Sequence, residues 1–274
     1  MIGSRIVKTI ARTALVVYAL ISLYPFLWML SGAFKTREEI LRSGNLIPEN
    51  PTLDTLVSTW SRLHFFDYFL NSLQVTAMTV VGVLVVYSLA SYAFAVLDFP
   101  GRKVLFWFFV SLLFVPGITV LLPVVILEKD LGILGSHLGL VLPFVNGTAP
   151  LTVLLLTNGF GSIPRELREA ARADGAREFR IFWSVYLPLA RPTLITVAVL
   201  TAVPTWNEYV LTRVSLNDPS LYTLPLGLET LLSGNVPHYN EVMAASLIIV
   251  IPVIALFLLL QRYFVNGLVG AVKG

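Results

Sequence analysis

The side chains of this 274-residue chain offer little for covalent chemistry. It has no Cys, which excludes disulfides, thiolate metal sites and cysteine nucleophiles. Its three His, His64, His137 and His238, are far apart and lack spaced partners, so no metal site is expected. No Gly-x-x-x-x-Gly-Lys-Ser/Thr run is present to cradle a nucleotide phosphate. Glu208 is the one acidic residue expected inside a long apolar run. A carboxylate at the bilayer centre costs about 2.5–3.5 kcal/mol, so Glu208 should face a cavity, a partner or the interface. A membrane-embedded enzyme needs paired carboxylates or His-rich clusters at membrane depth, and these are missing. The chain is therefore expected to catalyse no reaction and to hold no cofactor or metal.

The remaining ordered chemistry lies in a basic loop, residues 159–191. Ser162 suits a helix N-cap, Pro164 a first turn and Glu166 the positive end of a helix dipole. These residues predict a short Ala-rich amphipathic helix over Arg165 to Ala173. Asp174-Gly175 should end it, because Gly readily takes the left-handed conformation of a helix C-cap. A second helix is expected from about Ala176 to just before Pro188. Such a helix can lie on a membrane surface. Alternatively, the small residues Ala170, Ala171 and Gly175 allow another protein's surface to approach closely.

The elements that must carry this loop are membrane spans. The chain is 56% hydrophobic and 13% charged, against about 25% charged in a soluble domain, so it needs lipid as solvent. A spanning helix takes about 20 apolar residues. Six charge-free runs suit: Thr13–Phe34, Tyr68–Leu97, Val104–Leu127, Leu131–Pro164, Pro192–Asn207 and Val242–Gln261. The fifth reaches full length only by continuing through Glu208 to about Thr212. The first is too long for a cleaved signal peptide, and no small-residue cleavage site follows it. Prolines at 25, 116, 123, 143, 150, 204 and 252 lie within spans, and Asn146-Gly147-Thr148 is expected to interrupt the fourth. Such breaks either line a wet cavity or kink helices for packing.

Thirteen of the 19 Lys and Arg fall on one side of this topology, including Arg5, Lys8, Arg12, Arg102, Lys103, the loop arginines, Arg262 and Lys273. The positive-inside rule makes that side cytoplasmic. Both termini are then cytoplasmic, which requires an even number of spans.

The loop follows one further pattern. Glu169-Ala170-Ala171, three residues, Gly175, nine residues, then Val185-x-Leu187-Pro188 resembles the EAA loop of permeases in binding-protein-dependent ABC importers. Ile163-Pro164, Asp174-Gly175-Ala176 and Phe179 resemble the carbohydrate branch, the maltose-type permeases. Trp206-Asn207-Glu208-Tyr209 and the tail from Gln261 to Gly274 are similar to the MalG-like members. Val185 stands where Ile is common and keeps the β-branch.

The resemblance implies an all-α integral membrane protein of the cytoplasmic membrane, with six transmembrane helices in the ABC importer permease (MetI/MalG-like) fold and cytoplasmic coupling helices. It implies one transmembrane domain, residues 1–274, with a cytoplasmic N-terminus (1–12), an external segment (35–67), a coupling loop (159–191) and a cytoplasmic tail (264–274). The implied partners are a second homologous permease, two ATPase subunits that bind the ATP and Mg, an extracytoplasmic substrate-binding protein, membrane lipid and a sugar-like substrate. No nucleic acid is implied.

Glu169, Ala170, Ala171, Asp174, Gly175, Leu187 and Pro188 would couple to the ATPase, with Glu169 pairing to a basic residue there. Asn146, Asn207, Glu208 and Tyr209 would line the translocation pathway. Glu208 has a second reading, near the outer boundary, holding the two permeases together. A secondary transporter or channel for small polar solutes also explains the spans and polar breaks. It does not explain the ordered loop, and the two halves show none of the internal repeat such transporters often carry.

Overall fold

The computed structural model describes residues 2–42, 44–62, 64–233 and 238–271. Among these the regular structure is helical, with no strand. Four helices are long and apolar enough to cross a bilayer: α1 (Ile2–Ala33), α4 (Phe65–Val96), α7 (His137–Gly161) and α14 (Tyr239–Ala271). Between the first two lie α2 (Arg37–Arg42) and α3 (Asp54–Arg62). Two further crossings exist only if bent pairs count as spans. One is Arg102–Phe114 with Gly117–Asp130, bent by 97°; the other is Glu178–Leu189 with Arg191–Trp206, bent by 77°.

The expected third span is therefore not a straight helix. It divides into α5 (Arg102–Ser111), two 3-10 turns and α6 (Leu121–Asp130). The bend falls at Val115 (φ −86, ψ 114) and Pro116 (φ −63, ψ 127), both extended. Proline's ring disfavours helical backbone in the residue before it and leaves no N–H to close the turn.

The expected interruption of the fourth span does not occur. α7 runs unbroken through Pro143, Asn146, Gly147, Thr148 and Pro150. Each proline removes only one bond of the ladder, and the remaining bonds carry the helix through. The left-handed Gly132 and Gly135 turn the chain into this helix (φ 70 and 81), and Ser136 caps it by accepting from the Gly139 amide at 3.3 Å.

The expected fifth span stops short. α11 (Arg191–Trp206) ends before Asn207, and the chain restarts as α12 (Val210–Ser215).

The chain forms two compact units, Met1–Phe69 with Leu224–Pro252, and Leu70–Thr223 with Val253–Gly274. In the first, the segment that follows α1 is organised about Lys35, which is 2% exposed. Its ammonium donates to the Asn45 carbonyl and lies 5.5 Å from the centre of the Trp28 ring. Thr55 donates to the Lys35 carbonyl at 3.2 Å and accepts from Asn240 at 3.3 Å. α13 (Leu224–Leu232) packs close through Gly227, where a Cβ would overlap the Tyr68 ring. Gly32 meets the flexible end of Met243 instead.

The core of the second unit is aromatic. Tyr92, Phe160, Phe182 and Tyr186 are at most 4% exposed. Tyr92 meets Phe182 and Tyr186 edge-on, with centroids 5.2 and 5.1 Å away, a geometry the ring quadrupoles favour. Beside this cluster, Gly159 leaves room for Thr193 of α11, which a Cβ there would overlap.

Gly227→Ala should thus destabilise the protein by about 1–3 kcal/mol through overpacking against a rigid ring. Gly32→Ala should cost less, because a thioether can swing aside. Melting midpoints in detergent check the order; equal midpoints for the two variants would contradict it.

Candidate functional site

α8 (Arg165–Ala173) has the bounds expected from the sequence, but its start differs. Pro164, not Ser162, occupies the N-cap position, without a side-chain cap. Ser162 belongs to the preceding helix end, its hydroxyl donating to the Gly159 carbonyl at 2.8 Å. The C-terminal end is a Schellman motif. The Ala176 amide donates to the Ala171 carbonyl at 3.0 Å and the Gly175 amide to the Arg172 carbonyl at 2.9 Å. Gly175 takes φ 78 in open space, so its constraint is conformational, not steric.

The second helix departs from expectation at both ends. α9 begins at Glu178, not Ala176 (Glu178–Ile181), and continues through a π turn over Phe182–Tyr186 into α10 (Leu187–Leu189). Pro188 lies inside that last turn rather than beyond it. A proline lacks the amide and crowds the carbonyl four residues back. The widened turn immediately before it accommodates both effects.

The expected coupling residues divide between two faces. Glu169, Ala170, Asp174, Gly175 and Pro188 are exposed. Ala171 and Leu187 are half-buried against the aromatic core. The inner face of α8 is held by a residue that the sequence reading passed over, Glu178. Its Oε1 accepts from Arg168 Nη2 at 2.9 Å and from Arg172 Nε at 2.8 Å. Its Oε2 accepts from Arg168 Nε at 3.3 Å and from the Tyr92 hydroxyl at 2.7 Å. The bond to Glu178 raises the Arg168 pKa above its ordinary value. The available sequence signal was Arg168 and Arg172 at i and i+4, on one helix face.

A second feature lies where broken helices meet. A cavity of about 510 Å³ is lined by Gly117 and Ile118 at the bend before α6, by Pro143, Gly147 and Thr148 of α7, and by Pro204, Thr205 and Glu208 at the end of α11. Phe144 and Leu121 complete much of its apolar wall. Among the expected pathway residues, Glu208 lines this cavity, whereas Asn146, Asn207 and Tyr209 are not in its wall.

Glu208 also caps α12. Its Oε1 accepts from the Leu211 amide at 2.9 Å, and its Oε2 from the Thr212 amide at 3.1 Å and the Thr212 hydroxyl at 3.0 Å. Three donors offset the desolvation of a carboxylate. Asn207 closes the preceding helix, its amide donating to the Val203 carbonyl at 2.8 Å. Asn146 is exposed and Tyr209 is 37% exposed.

Glu208 is not the only carboxylate in the crossing segments. Glu128, in the second limb of the broken third span, is 2% exposed and accepts from the Ser215 hydroxyl at 2.8 Å. It was missed because the charge-free run ended at Leu127. The six-residue α12 is thus bonded to a glutamate at each end.

The family described as the binding-protein-dependent transport system inner membrane component matches residues 82–269. The arabinooligosaccharides transport system permease protein AraQ of Halalkalibacterium halodurans is 33% identical over 261 residues, covering 93% of both chains. The trehalose/maltose transport system permease protein MalG of Thermococcus litoralis is 32% identical over 264 residues, 94% of each. Among solved structures, a chain of a bacterial ABC transporter involved in the import of the acidic polysaccharide alginate superposes with a TM-score of 0.85. It is 26% identical, over 96% of this chain and 98% of that one. With the bent spans and the ordered loop, these likenesses establish that the chain belongs to the inner membrane components of binding-protein-dependent transport systems, among the ABC importer permeases of the MalG type.

Proposed function

We propose that this multi-pass membrane protein moves a sugar or sugar-like solute across the cytoplasmic membrane, driven by a separate ATPase that docks on α8. The observation that carries the coupling is the two-faced helix. One face of α8 is pinned by Glu178, and the other presents Glu169, Ala170 and Gly175 to a partner. A helix held on one side and bare on the other can pass on a push.

The substrate class rests on relatives named for arabinooligosaccharides and for trehalose and maltose, and on a structural likeness named for alginate. A cavity of about 510 Å³ that sets Thr148, Thr205 and Glu208 in an otherwise apolar wall has room for a solute of that kind. The single transmembrane domain works with a second homologous permease, two ATPase subunits and an extracytoplasmic binding protein. The basic flanks support a cytoplasmic setting for α8 and both termini. Residues 272–274 of the tail expected near the ATPases lie outside the described residues.

Two tests follow from these assignments. In the assembled transporter, Glu169→Ala should lower uptake by about tenfold or more, the factor that the loss of one charge-assisted contact carries, and Gly175→Leu should lower it too, while membrane insertion stays intact. Gly175→Leu also forces a side chain into the left-handed region, at about 1–2 kcal/mol. Unchanged uptake of labelled sugar into proteoliposomes by both variants would remove the coupling assignment. Separately, Glu208→Ala should destabilise the protein by about 0.5–2 kcal/mol through the lost cap, with Glu208→Gln in between. If Glu208 also lines the pathway, Glu208→Gln should shift the relative uptake of different sugars. A shift in melting midpoint alone would confine Glu208 to capping.

A further inference from the structure

α8 has nine residues, too few to be stable or oriented on its own. What sets its angle against the membrane helices is therefore a question of specific contacts. Ala171 and Ala176 pack against the aromatic core, but contacts between small apolar groups are non-directional and permit sliding. The directional contacts pass through Glu178. Arg168 and Arg172 reach its Oε1 from one face of α8, at 2.9 and 2.8 Å. Charge-assisted bonds of this kind resist both stretch and shear. Its other oxygen is tied to Tyr92, 2.7 Å away, and Tyr92 is a residue of α4 that is 4% exposed. Tyr92 in turn touches Phe160 of α7 and both Phe182 and Tyr186 of the π turn.

We propose that Glu178 is a positioning residue that joins the docking helix to the membrane helices: the carboxylate binds two arginines of α8 with one oxygen and the buried Tyr92 hydroxyl of α4 with the other. The inference deepens the coupling reading of α8 and rests on it. ATPase movement felt at the exposed face of α8 reaches α4 and α7 through this carboxylate. When the bonds are cut, α8 still docks but turns without carrying the helices with it. Uncoupling, rather than loss of assembly, is the signature.

The test uses the full transporter with its partner permease, ATPase and binding protein in proteoliposomes. Tyr92→Phe deletes one hydroxyl and keeps the ring in its cluster. Glu178→Gln keeps the size and removes the charge. For each variant, the solute moved per ATP hydrolysed is measured. Docking is read separately, by cross-linking Glu169→Cys to the ATPase, since the chain has no Cys of its own.

The expected result is an unchanged cross-link with solute per ATP lowered by about tenfold, the factor one charge-assisted bond carries. A merely structural role would lower uptake and hydrolysis together and leave their ratio alone. An intact cross-link with an unaltered ratio in both variants overturns the role of Glu178 and leaves the docking reading standing. No cross-link in the chain that carries only Glu169→Cys overturns the docking reading itself, and this inference with it. If Glu178→Gln fails to assemble, Tyr92→Phe decides alone by the same ratio.

Discussion

Peptide groups cannot remain unpaired in hydrocarbon, and this constraint governs where the chain departs from straight helix. One departure comes with its own replacement partners. At the end of α11 the amide of Asn207 covers a carbonyl, and the Glu208 carboxylate covers the first amides of α12. At Pro116 the chain goes extended and immediately re-forms 3-10 turns on both sides. The irregular segments in turn make the cavity, since straight helices packed side by side leave little room. The cavity is built from the exceptions to the helix ladder.

The α8 region follows a different logic, set by charge and by turn geometry. Its Schellman end needs a left-handed residue, which Gly175 supplies without strain. Its inner face needs a counter-charge, which Glu178 supplies from the next helix. The partly buried ion pair gives orientation more than stability, because desolvation offsets much of the Coulomb gain. Directional bonds are what the proposed coupling requires.

Much of this was legible in the residues. Long apolar runs located α1, α4, α7 and α14, because a charge-free stretch of this length has few other fates. The bounds of α8 followed from Pro164 and Asp174-Gly175, where backbone chemistry is local. Three features were not legible. The bend at Pro116 and the continuity through Pro143 and Pro150 show that a proline inside an apolar run can either break the helix or be carried within it, which proline itself does not reveal. The burial of Glu128 depends on Ser215, a residue 87 positions away. Glu178 looked like one more charge in a polar loop, and only the fold brings it to Tyr92, 86 positions earlier. Contacts between neighbours in sequence can be read from spacing, whereas contacts between distant residues need the packed structure.

The separation of partners around Glu178 bears on how the protein is made. Arg172 and Arg168 lie only 6 and 10 positions before it, and closing so short a loop costs little entropy. The two helices and their ion pairs can therefore come together once this short stretch has left the ribosome, before α14 has followed. Tyr92 belongs to α4, made much earlier. During biosynthesis the small helical hairpin can act as a prefabricated part that is fitted onto a waiting phenol, so its internal order does not wait for the membrane bundle to close.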